Sequence, residues 1–78
     1  MTTATTRAEL IGARVRRLRE ERGLLVRELA ERANVTRWTV TNVEHGHVRA
    51  EGATLGRIAA ALGVPLSELT DVEAGRVA

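Results

Sequence analysis

The chain has 78 residues, a formal charge of +2, no cysteine and a single aromatic residue, Trp38. A domain of that length buries only about 60% of the surface its unfolded chain exposes, so its core is thin. The missing thiols exclude disulfides and thiolate metal sites, in keeping with a reducing cytoplasm.

The opening MTTATT has no basic-then-apolar leader pattern, and no apolar run approaches the ~20 residues needed to span a bilayer. A soluble, cytoplasmic protein is expected. Charge is unevenly placed: Arg7 to Arg37 holds nine Arg against five acids, and Trp38 to Ala78 three Arg against five. Every cation is Arg, which suits bidentate recognition of phosphate but equally fits a GC-rich coding sequence.

Apolar residues recur at helical spacing throughout, with no strict alternation of the kind a half-buried strand shows, so an all-α fold of five helices is expected. Thr6-Arg7-Ala8-Glu9 is a capping-box pattern that starts a first helix. Ile11, Val15 and Leu18 form its buried stripe, Gly23 ends it in a left-handed conformation, and Leu24 tucks beneath. A second helix, Val26 to Ala33, packs through Val26, Leu29 and Ala30 and offers Glu28 and Arg32 as an exposed i,i+4 pair. Asn34 tolerates positive φ, which predicts a tight turn over Ala33-Asn34-Val35.

Thr36 is suited to cap a third helix that runs to His45 and is closed by Gly46, with Val35, Val40 and Val43 facing inward. His47 to Gly52 reads as a loop. A fourth helix, Ala53 to Leu62, buries Leu55, Ile58, Ala59 and Leu62 and stops at Gly63; Gly56 inside it costs about 1 kcal/mol relative to Ala. Pro65 opens a short fifth helix containing Leu66 and Leu69. The expected domain is 6–72, with disordered residues 1–5 before it and a frayed tail over 73–78.

Trp38 lies two residues before Val40, which turns it about 200° from the buried side of the third helix. It is expected to face outward with Arg37, Thr41 and Asn42. That set can donate, accept, stack and make apolar contact, as a base-reading surface must.

From Ile11 to Leu69 the chain resembles the helix-turn-helix domain of lambdoid phage repressors, Cro proteins and XRE-type bacterial regulators. The resemblance is carried by Leu24, Glu28-Leu29-Ala30, Asn34-Val35-Thr36-Arg37, Val40, Val43-Glu44, Gly46, Leu55, Ile58-Ala59, Leu62-Gly63-Val64 and Glu68-Leu69. It implies a compact five-helix bundle whose third helix enters the major groove of double-stranded DNA by its N-terminal end. Arg37, Trp38 and Asn42 occupy the family's base-reading positions, with Thr41 beside them. Arg37 matches guanine O6 and N7, Asn42 matches adenine or a thymine methyl, and Trp38 is placed to pack on a thymine methyl or the backbone.

The same resemblance makes Thr36, His45 and Arg49 backbone contacts and Arg19 with Glu44 a bridge between the first and third helices. Pro65, Leu66 and Leu69 fall near where relatives pair, so a homodimer is expected, with Leu66, Leu69 and Val72 read as core, as dimer contact or as both at once. Arg27 sits near the start of the second helix, where a phosphate contact is credible. Two positions depart from the family: Leu25-Val26 replace the usual Ser or Thr followed by Gln at the start of the second helix, and Ala50 replaces a common Pro.

Other readings of the same residues are weaker. Arg14, Arg16, Arg17 and Arg19 point around the first helix, and Arg16 with Glu20 or Arg17 with Glu21 reads as a solvated pair. His45-Gly46-His47 lacks a third ligand for a metal, and no grouping of nucleophile, base and orienting acid points to catalysis, so neither cofactor nor enzyme activity is expected.

The expected function is a sequence-specific transcriptional regulator, a phage-type repressor or Cro-like protein binding an inverted repeat. Restriction-modification controllers and antitoxins use the same domain, and an antitoxin would bring a toxin as protein partner. A different class of reading is a protein-interaction module that has lost DNA binding and presents Trp38 and Val26 as an apolar patch.

Overall fold

The computed structural model describes residues 6–47 and 52–72, which form five helices: α1 Arg7–Glu21, α2 Val26–Ala33, α3 Arg37–His45, α4 Gly52–Leu62 and α5 Ser67–Thr70. The expectations for residues 1–5 and 73–78, and those for Arg49 and Ala50, lie outside the described residues. No helix is long and apolar enough to cross a membrane among the described residues.

The start of α1 is fixed by its own sequence. Thr6 Oγ1 accepts the Glu9 amide at 3.1 Å, and the Glu9 carboxylate accepts the Thr6 amide at 3.0 Å, so both donors find partners before the helix begins. Gly23, at φ +66°, ends it. Ile11, Val15 and Leu18 then face a wholly aliphatic core completed by Leu24, by Leu29 of α2, by Val40 and Val43 of α3, by Ile58 of α4 and by Leu69 of α5. Each of the larger side chains contributes about 1.5–3 kcal/mol by leaving water.

Where α1 crosses α3, the two backbones approach at two glycines. A Cβ on Gly12 would overlap the carbonyl oxygen of Val43 and meet that of Glu44 at 2.6 Å. Gly46 closes α3 at φ +69°, and a Cβ there would meet Glu9 Cγ at 2.7 Å and Glu9 Cα at 2.8 Å. Side chains at either position would push the helices apart, so these glycines set how closely α3 lies on α1.

Arginines tie the remaining ends together. Arg22 donates to the Leu62 carbonyl at 2.6 Å and to that of Leu18 at 3.1 Å, satisfying oxygens in the last turns of α4 and α1. Arg14 donates to the Glu68 carbonyl at 2.9 Å and Arg7 to that of Thr70 at 3.0 Å, which holds α5 against α1. Arg16 and Arg17 pair with Glu20 and Glu21 in water, as their spacing predicts.

The fifth helix is shorter than expected. Pro65 and Leu66 make a tight turn before it, with the Glu68 amide donating to the Pro65 carbonyl at 3.0 Å and the Leu69 amide to that of Leu66 at 2.9 Å. Leu69 is fully enclosed, with 0% exposure, so its core reading holds and its assignment to a dimer contact is corrected. On a one-turn helix packed on α1 and α4, that position can face only the core. Pro65 and Leu66 stay exposed.

Candidate nucleic-acid interface

The turn between α2 and α3 is short because its residues permit it. Asn34 adopts φ +57°, ψ +45°, the Asn34 amide donates to the Glu31 carbonyl at 3.2 Å, and the Val35 amide donates to that of Ala30 at 3.0 Å. Thr36 then caps α3: its Oγ1 accepts the Thr39 amide at 3.0 Å and lies 2.9 Å from the Thr39 hydroxyl. The Thr36 side chain thus has a structural role beside the backbone contact expected of it.

Val40 and Val43 fix the inward face of α3, and Trp38 projects from the opposite side with 69% of its surface exposed. Arg37 and Thr41 are also exposed, whereas Asn42 is half-buried. The Asn42 side-chain nitrogen donates to the Trp38 carbonyl at 2.8 Å, laying its amide along the helix. No acid stands in the first turn of α3, unlike α1 with Glu9 and α2 with Glu28. The positive end of the helix dipole, reinforced by Arg37, is therefore met within α3 only by the neutral Thr36 cap, while Glu31 of α2 is the acid that lines the adjoining groove.

Arg27, Ala30, Glu31, Val35, Thr36 and Arg37 line an open groove between α2 and α3. Neither Arg27 nor Arg37 has a hydrogen-bond or ion-pair partner among the described residues, and the same holds for Arg32. Arg7, Arg14, Arg19, Arg22 and Arg57 all donate to main-chain carbonyls. Those structural donations are not legible in the sequence because their partners lie far along the chain or across a turn.

At the base of α3 the Arg19 guanidinium meets the Glu44 carboxylate through two bonds, Nε to Oε2 at 2.6 Å and Nη2 to Oε1 at 3.0 Å. Its third arm donates to the Leu24 carbonyl at 2.8 Å. One side chain thereby joins α1, the turn before α2 and the end of α3. The hydrogen bond to Glu44 holds the guanidinium pKa above its ordinary value and outweighs the opposing effect of burial.

The start of α2 differs from expectation. Glu28 does not pair with Arg32; its carboxylate accepts the Leu25 amide at 2.8 Å, because a backbone donor one turn back is nearer than an exposed guanidinium on the following turn. Leu25 supplies no side-chain cap, so only half of a capping box forms. Val26 is half-buried against the core, and the large apolar side chain exposed here is Leu25, at 52%. The apolar patch expected of Trp38 and Val26 is corrected accordingly, since at the first position of α2 Val26 already turns toward the core.

His45 and His47 are both exposed with ring centroids 5.4 Å apart. Among the described residues no group of three or more His, Cys, Asp or Glu is placed to hold a metal ion.

Comparison with known proteins gives consistent relatives. The profile of the HTH_3 helix-turn-helix family matches residues 15–69. The immunity repressor protein of Bacillus phage phi105 is 33% identical over 63 residues, which is 81% of this chain and 44% of that protein. The chain thus spans less than half the length of that repressor. Among solved structures, the restriction-modification controller protein C.AhdI from Aeromonas hydrophila superposes with a TM-score of 0.78 at 31% identity, over 80% of this chain and 94% of that one. The biofilm master regulator SinR in complex with DNA superposes with a TM-score of 0.72 at 30% identity, over 76% and 95% of the two chains. The five-helix fold, the α2–α3 turn and a family match over more than half the chain assign this protein to the XRE-type helix-turn-helix family.

Proposed function

We propose that the protein is a transcriptional regulator that binds double-stranded DNA as a homodimer, placing α3 in the major groove at each half of an inverted repeat. The observation that carries this reading is the first turn of α3, which presents exposed Arg37 and Trp38, holds no carboxylate, and adjoins a groove where Arg27 and Arg37 have no described partner. An acceptor-rich, negatively charged ligand complements it. Arg37, Trp38, Thr41 and Asn42 are assigned to bases, and Arg27, Thr36, His45 and Arg49 to the backbone. Pro65 and Leu66 are the residues of the dimer assignment that stay exposed. Two recognition helices would then stand about 34–36 Å apart, one turn of B-DNA.

Selection from random duplexes, followed by binding over a range of salt, tests the reading. A palindromic consensus is expected, with a steep salt dependence in which each neutralised phosphate adds about −0.9 to the slope of log affinity against log salt. Arg37→Ala is expected to relax base preference at one position, and Arg27→Ala to weaken all duplexes alike. A salt slope near zero with no consensus would overturn it. Exposed Leu25 and Trp38 also fit a protein-binding surface; a partner that binds there without competition from duplex DNA would favour that alternative.

A further inference from the structure

We infer that the reading face selects the C5 methyl of a pyrimidine beside a guanine, so that thymine and 5-methylcytosine are accepted alike while uracil and unmodified cytosine are disfavoured. The inference rests on the DNA-binding reading above and assigns the chemistry of that contact. Three features of α3 carry it.

The first is the indole. Trp38 is 69% exposed, and among the described residues the only other large apolar side chains that stand exposed are Leu25 and Leu66. An indole offers a wide apolar plane, one N–H donor and no acceptor. The C5 methyl is the apolar group that the major-groove edge of a base pair presents, and 5-methylcytosine carries it on the same ring carbon as thymine.

The second is what the neighbours of Trp38 lack. Cytosine is read directly by a carboxylate that accepts from its N4 amino group. The first turn of α3 contains no acid. Asn42, the nearest amide, already commits a donor to the Trp38 carbonyl at 2.8 Å. Unmodified cytosine thus finds no carboxylate in that turn, only the weaker neutral Oδ1 of Asn42, and brings no methyl to the indole.

The third is Arg37, which immediately precedes Trp38, is exposed and has no partner among the described residues. Its fork matches guanine O6 and N7. Consecutive residues at the tip of one helix thereby present a guanine reader and a methyl reader side by side, the pattern of a pyrimidine–guanine step.

The test uses the full chain and a duplex pool selected from random sequence, resynthesised with deoxyuridine in place of the thymidine beside the contacted guanine. A second arm converts the contacted T·A pair to C·G, with and without 5-methylation of that cytosine. Removal of each contacted methyl is expected to weaken binding roughly fourfold, the effect of burying one methylene-sized group. Conversion to cytosine is expected to weaken binding, and methylation to restore most of it. Trp38→Ala, at a solvent-facing site, is expected to bind the thymidine and deoxyuridine pools equally, while Trp38→Phe keeps part of the discrimination.

Equal binding of both pools by the unaltered protein, or discrimination that persists in Trp38→Ala, would overturn the methyl assignment while leaving DNA binding intact. Failure to retain any duplex pool would overturn both readings, and is recognised at the selection step.

Discussion

Arg19 and Glu44 lie twenty-five positions apart in sequence and face each other through two hydrogen bonds, with side chains only 12% and 6% exposed. Because the pair is shielded from water, removing one partner strands a charge. Arg19→Met or Glu44→Leu alone is expected to lower unfolding stability by about 3–5 kcal/mol, and the double variant by much less than the sum. Thermal and urea unfolding followed by circular dichroism measure the cycle; strict additivity would mean the two side chains do not interact in solution.

Gly12→Ala introduces a methyl group against the carbonyls of Val43 and Glu44. Backbone cannot swing aside as a flexible side chain can, so α3 itself must shift. A drop of about 1–3 kcal/mol in stability is expected from overpacking, together with a fall in duplex affinity that persists at temperatures where the variant is fully folded. Wild-type stability in this variant would show that α1 and α3 are less closely seated than described.

Gly56→Ala is expected to act in the opposite direction. A Cβ there meets nothing within 4 Å, so the substitution adds helix propensity to α4 without a clash. Stability should rise by about 0.5–1 kcal/mol. A destabilised variant would reveal a packing partner at this face of α4.

The Glu9 carboxylate is held below its ordinary pKa of 4.5, first by the Thr6 amide and then by the Thr6 hydroxyl. A carboxylate whose folded pKa is depressed contributes stability that is fully present above its unfolded pKa and is lost as pH falls through the folded value. The melting midpoint of the unaltered protein should therefore drop as the medium is acidified below 4.5. In Glu9→Gln that part of the fall should be missing, because a neutral amide does not titrate. Superimposable acid limbs for the two proteins would remove Glu9 from the account.

The parts of the fold legible in sequence are those set by neighbouring residues. Thr6 and Thr36 as caps, Asn34 at positive φ and Gly46 closing α3 each follow from chemistry within four positions. The outward direction of Trp38 follows from its offset to Val40. The requirement at Gly12 is invisible locally because it comes from α3 crossing over it, about thirty residues away in sequence. The carbonyl partners of Arg14 and Arg22 are equally remote, and Leu69 is ambiguous in sequence because a one-turn helix leaves too little periodicity to show which side is buried. The Asn42 bond to the Trp38 carbonyl is within reach of local reasoning, since a short amide mid-helix is prone to bond back four residues.

The placement of the sole aromatic residue also decides how the molecule can be watched. Trp38 stands mostly in solvent while the interior is built from Leu, Ile, Val and Ala, so the native fluorophore is expected to emit from a wet environment and to change little on unfolding. Fluorescence melts would thus be nearly blind to unfolding. Whatever settles on the tip of α3 would have that emission to itself, giving a label-free titration with no background from the core.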